Sequence, residues 1–171
     1  MKYVYALKTV KSDLTSHGGF RWKKRGVVVA PDWNPDPVCG GGLHAFLRGE
    51  GNGSLADWST DALWLVLQIP EGSYVDLDGK IKFPRCTVVF CGDRKSATDK
   101  LQELGCHGPI IGAYISGGYE STVSGGYESV LTLSYYDGVR RRLVTRYVGE
   151  DGIVANTAYR LDDAHEFEVV K

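Results

Sequence analysis

The sequence predicts a β-dominated α+β fold: a mixed or antiparallel sheet with one clear helix, a short glycine-rich β-repeat and a C-terminal hairpin. Three observations carry that expectation. Runs rich in β-branched and aromatic residues alternate with Gly, Pro and Asp turns along most of the 171 residues. One stretch alone has helical spacing, with Ala97, Leu101 and Leu104 on a common face and Gly105 where a C-terminal cap belongs. Finally, Ser116-Gly117-Gly118-Tyr119-Glu120-Ser121-Thr122-Val123 is followed directly by Ser124-Gly125-Gly126-Tyr127-Glu128-Ser129-Val130-Leu131, a unit of eight residues that cannot bury a face unless copies stack.

The elements follow in order. Tyr3 to Lys8 reads as a first strand and Gly26 to Ala30 as a second. The stretch from Pro31 to Gly42 holds three prolines and a glycine triplet, so it is an ordered loop. Leu43 to Leu47 resumes an apolar segment, and Asp57 to Asp61 reads as the cap of a helical turn. Leu63 to Ile69, ended by Pro70, is short enough to be a buried strand. Val75 to Leu77, the Asp78-Gly79 turn, Lys80 to Phe83 and Arg85 to Cys91 predict a meander. Ser96 opens the helix as the first residue of a capping box closed by Asp99. Leu131 to Tyr136 and Val139 to Tyr147 flank Asp137-Gly138 as a hairpin, and the tail offers strands near Asn156 to Leu161 and Glu166 to Val170. The expected organisation is a main domain over 1–112 and a repeat-plus-hairpin appendage over 113–171.

Twenty basic and twenty-one acidic residues give a formal charge of −1, which excludes a global field directed at long nucleic acid or anionic lipid. The amino terminus is too short and polar for a signal peptide, and no apolar run reaches membrane-spanning length, so the expected setting is cytoplasmic, with no membrane partner. Cys39, Cys86, Cys91 and Cys106 lack CxxC spacing and read as reduced thiols. The four histidines are scattered singly, so neither a metal nor another cofactor is expected.

Chemistry is expected around the Gly40-Gly41-Gly42-Leu43-His44 run. Bare backbone at Gly41 and Gly42 would let an anionic ligand approach, and His44 would serve as acid or base near neutral pH. The competing reading of His44 is a core histidine that locks the loop. Lys82 is the expected catalytic partner, steadying a phosphate, with Arg85 and Arg94 as further anion contacts. Ser16 and His17 in the Thr15-Ser16-His17-Gly18-Gly19 turn, and Trp33 as a stacking ring, complete the ligand-binding set. Exposure at a sheet edge or a role as a core anchor is the plain alternative for each.

The segments Leu14 to Trp22, Ala30 to Pro35 with Cys39 to His44, and Lys82 to Arg85 with Phe90 to Lys95 resemble a bacteriophage and prophage family of unknown function, over roughly the first 105 residues. The resemblance implies a phage accessory protein and supplies no reaction. By analogy of context it implies a counter-defence enzyme that cleaves a host nucleotide signal, such as a cyclic dinucleotide, by metal-independent acid-base chemistry. The alternatives are a sponge that sequesters a small nucleotide such as an ADP-ribose derivative, and a structural or host-factor-binding phage protein. The short repeat would need capping, either by its own domain or by another subunit, and on that ground a homo-oligomer is expected.

Overall fold

A computed structural model describes residues 2–118 and 120–170. Strands β1 (Tyr3–Val10), β2 (Gly26–Val29), β3 (Leu43–Leu47), β4 (Leu63–Pro70), β5 (Val75–Asp76), β6 (Ile81–Phe83) and β7 (Arg85–Gly92) form a sheet in the order β2-β7-β4-β1-β3-β6-β5. Every pairing in it is antiparallel. Its strands alternate as the pleat requires: Ala6 and Val10 of β1 enter one core while Leu7 enters another. The predicted meander holds only from β5 to β6. At Pro84, which has no N–H to give a ladder, the chain leaves β3 and crosses to β2 and β4. Because β6 and β7 are separated by that one residue, the sheet curls back on itself around a first core that includes Trp22, Leu65, Phe83 and Val88.

The outer face is covered by α1 (Arg94–Glu103), whose Ala97 and Leu101 pack with Leu7, Phe46, Trp64 and Val66. The helix begins three residues earlier than the sequence predicts. Asp93 is the N-cap, its carboxylate accepting from Ser96 N at 3.0 Å and Ser96 Oγ at 2.7 Å, so Ser96 is a partner of the cap. Gly105, at φ +87°, ends it as expected, with Gly105 N donating to Gln102 O and Cys106 N to Leu101 O. Asp57 to Asp61 starts no helix; Asp57 caps a turn through Ser59 N, and the nearest helical turn is a short 3-10 segment over Gly53–Leu55.

Beyond the helix the chain winds. Strand β8 (Tyr114–Gly117) pairs in parallel with β9 (Val130–Tyr136), each residue facing the one sixteen positions later, so one coil takes two eight-residue units. The corners are a single recurring turn. Ser121 N donates to Gly118 O and Ser129 N to Gly126 O, both at 3.2 Å, with Glu120 and Glu128 left-handed at φ +59° and +56°. Tyr119 of the first copy lies outside the described residues. The same turn occurs at Ile110–Ala113, with Gly112 at +67°, and at Phe46–Gly49, with Arg48 at +56°. These corners stack: Ile111 N donates to Gly49 O, Gly112 N to Tyr127 O, and Val148 N to Ser129 O. The sheet domain therefore supplies the first layer of the column into which the coil winds.

Strand β10 (Arg141–Tyr147) returns antiparallel on β9, closing the coil as a hairpin, as the sequence predicts. Its loop has four residues rather than two, because the Asp137 carboxylate accepts from both Val139 N and Arg140 N and ion-pairs with Arg142. A last hairpin of β11 (Tyr159–Leu161) and β12 (Phe167–Val169) covers a third core containing Val123, Leu131, Leu133, Val148 and Tyr159. Ile115 packs against both the second and third cores.

Candidate functional site

Five of the expected site residues meet at the glycine loop. His44 and Lys82 are directly opposed on β3 and β6. A methyl on Gly42 would stand 3.0 Å from the Trp33 ring, and one on Gly41 would stand 2.8 Å from Asn34 Cβ. The bare backbone of these two glycines is thus taken up by the loop folding on itself, with Asn34 N donating to Gly41 O at 3.0 Å. Lys82 is fully buried, and its Nζ donates to Val38 O at 2.9 Å and Gly40 O at 3.1 Å while lying 5.9 Å from the centre of the Trp33 ring. It grips the loop on both sides of Cys39 and does not present a cation to solvent.

His44 is partly exposed, but its Nε2 is buried and has no hydrogen-bond partner among the described residues. Burial, followed by the charges of Lys80, Lys8 and Lys82, pushes its pKa down to about 4 against a small opposing pull from Asp32. The imidazole is therefore neutral at physiological pH and fit to accept a proton only in acid. The sequence reading missed Lys80, whose Nζ donates to the exposed Cys39 Sγ at 3.1 Å and holds that thiol below its ordinary pKa. The signal was present, since Lys80 and Lys82 alternate along one hairpin arm and so share a face.

The other expected residues lie apart. Ser16 Oγ accepts from Trp22 Nε1 at 3.0 Å, anchoring a core indole, and His17 beside it is exposed. Arg85 is exposed on β7 opposite Val29 and makes no ion pair among the described residues. Arg94 stands at the seam between α1 and the coil, where its guanidinium donates to Tyr114 Oη at 2.5 Å and lies 5.0 Å from the Tyr114 ring and 6.0 Å from the Trp58 ring. Among the described residues no group of three His, Cys, Asp or Glu side chains is placed to hold a metal ion.

A second arrangement lies on the outer face of the coil. Ser116, Thr132 and Thr145 are register partners across β8, β9 and β10, which sets three hydroxyls in a row, with Thr132 Oγ1 and Thr145 Oγ1 at 3.1 Å. No sequence signal singled them out, because Thr145 meets Thr132 through a four-residue hairpin loop and Ser116 joins the row through the parallel pairing of β8 with β9.

A curled antiparallel sheet with one helix, running on into a single capped β-solenoid coil, is the class of protein that these elements define. The chain is similar to the ice nucleation protein of Xanthomonas campestris pv. translucens, 34% identical over 100 residues that make up 57% of this chain and 6% of that protein. The Pseudomonas fluorescens ice nucleation protein is 33% identical over 102 residues, 58% of this chain and 8% of its own length. Ice nucleation protein InaU of Pantoea ananas is 31% identical over 96 residues, 55% and 9%. The chain thus spans under a tenth of the length of these relatives. No family model and no solved structure matches it.

These similarities correct the functional expectations drawn from the sequence. The relatives found are bacterial ice nucleation proteins, not members of a phage or prophage family. The nucleotide-cleaving counter-defence enzyme, the nucleotide sponge and the host-factor-binding phage protein are overturned by that finding, as is the cytoplasmic setting. The geometry gives a physical reason at the glycine loop, where the lysine meant for a phosphate is buried under the loop's own carbonyls.

Proposed function

We propose that this protein is a minimal ice-nucleation-type β-solenoid, in which residues 1–112 seed the coil, residues 113–171 wind and cap it, and the outer face orders water. The sixteen-residue parallel register of β8 on β9 carries this reading, because it is what turns an eight-residue repeat into an extendable column. The row Ser116, Thr132 and Thr145 supports it: strands stack about 4.8 Å apart, so the row is a regular set of hydroxyls, each able to hold a surface water by hydrogen bonds. A row three strands wide is a small patch, and each added coil widens it by one strand.

The test has two arms. The wild-type chain is frozen slowly and its partition into growing ice is compared with that of Thr132→Lys; the expected result is uptake of the wild type and exclusion of the variant. Chains with one, two and four extra copies of residues 114–129 inserted after Ser129 are then compared in supercooled droplets. Freezing temperature is expected to climb with coil number and to fall back when the inserted Ser116 equivalents become Lys. Freezing that is independent of coil number, with no uptake of the wild type into ice, overturns the reading.

A further inference from the structure

We propose that the cavity at the seam between α1 and the coil is a binding site for a neutral saccharide. This goes beyond the ice-directed reading and does not depend on it. The cavity has a volume of about 470 Å³ and is lined by Arg94, Tyr114, Glu128, Tyr147, Gly149 and Glu150 among others. That size is within the range of small-molecule sites. It is built from three successive layers: Tyr114 on β8, Glu128 at the corner before β9, and Tyr147 to Glu150 at the end of β10, with Arg94 reaching in from the first turn of the helix.

The lining selects the ligand by elimination. Glu128, Glu150 and Arg94 make no ion pair among the described residues, although all three border one space. An apolar ligand would desolvate two carboxylates that have no ion-pair partner among the described residues and a guanidinium held only by the Tyr114 hydroxyl and two ring faces. Two carboxylates against one guanidinium disfavour an anion, and the guanidinium disfavours a simple cation. A free amino acid matches the signs but leaves most of the cavity and both tyrosines uncovered. A neutral sugar satisfies the whole set, since its hydroxyls donate to the carboxylates and accept from the guanidinium, which uses one of its five N–H groups on Tyr114. Its C–H faces lie against aromatic rings, and Tyr114 and Tyr147 are 39% and 51% exposed, as stacking platforms in an open groove must be.

The probes are maltotriose, cellotriose and triacetylchitotriose, titrated separately to millimolar concentration into the isotope-labelled full chain, with amide shifts followed by NMR. At least one is expected to give saturable shifts at Glu128, Gly149 and Glu150. Glu150→Gln and Tyr147→Ala are each expected to weaken that binding about five-fold or more while amide dispersion stays native. Glu150 sits on an exposed turn, so its variant tests the site even where the tyrosine variant fails to fold. Absence of saturable shifts with all three sugars overturns the proposal. So does an affinity unmoved by the folded variants, or a site that answers glycine betaine and none of the sugars.

Discussion

At the scale of single residues, His44 and Lys82 show how position on the sheet decides what a titratable group does. Lys82 is buried and hydrogen-bonded to two carbonyls, whereas the buried Nε2 of His44 lacks a partner among the described residues. A buried unpaired polar atom costs about 1–3 kcal/mol. With its folded pKa at about 4 against an ordinary 6.5, His44 binds fewer protons in the native than in the unfolded chain between those limits. Stability from this group is therefore complete above about pH 6.5 and is lost as pH falls towards 4. Urea unfolding across that window is expected to show a fall in midpoint that His44→Leu removes, with the variant at least as stable as wild type at neutral pH. An equal acid sensitivity in both proteins would show that His44 is not the group responsible. The pairing of His44 with Lys82 was legible in part, because both residues stood out beside the glycine loop. That the loop fills its own glycines with Trp33 and Asn34 was not, since a Gly triplet reads the same whether a ligand or an indole lies against it.

At the scale of elements, the recurring corner sets the course of the chain. Its third residue is left-handed, the position at which type II turns favour glycine or asparagine, yet two of the four copies place glutamate there and one places arginine. A side chain in that region carries a cost of about 1–2 kcal/mol. Glu120 makes no ion pair among the described residues and is exposed, so Glu120→Gly is expected to raise stability by about 0.5–1 kcal/mol after glycine's own entropy is counted. A lowered thermal midpoint would contradict a strained corner. This element also explains what sequence reading could and could not find. The copies at 116–131 were visible as repeated letters. Gly108 to Ile115 follows the same path with Gly112 and Ala113 where the repeat has Glu and Ser, so it keeps the turn and loses the resemblance. Strand β9 was legible from alternation and its flanking turn, β1 from its β-branched and aromatic residues, and β4 as an apolar run of strand length ended by Pro70. The crossing at Pro84 was not, because local pattern specifies a strand without naming its neighbour.

At the scale of the whole molecule, the coil and the curled sheet are expected to unfold as one unit. Ile110, Ile111 and Ala113 share a core with Trp64 and Leu101, Ile115 joins that core to the next, and Ser129 Oγ donates to Ile110 O at 3.0 Å inside the protein. A tight junction lies at Gly53, whose hydrogen faces Tyr127 so closely that an added methyl would stand 2.5 Å from Tyr127 Cβ, while Trp58 Nε1 donates to Gly53 O at 2.9 Å. Gly53→Ala therefore forces the corner at Tyr127 away from the sheet domain, a cost on the order of 1–3 kcal/mol for an overpacked contact. Trp22 and Trp33 pack on the first core, whereas the Trp58 ring lies 5.7 Å from that of Tyr127 in the coil, so indole fluorescence in a Trp58→Phe background reports the sheet domain, and hydrogen exchange at Leu131 and Leu133 reports the coil. With Gly53 intact the free energies from the two probes should coincide. In Gly53→Ala both should fall by the same amount, because the strained contact belongs to the shared structure. A coil that loses protection while the tryptophan transition stays in place would mean that the halves fold independently and that the stacked corners hold the coil without coupling it to the sheet.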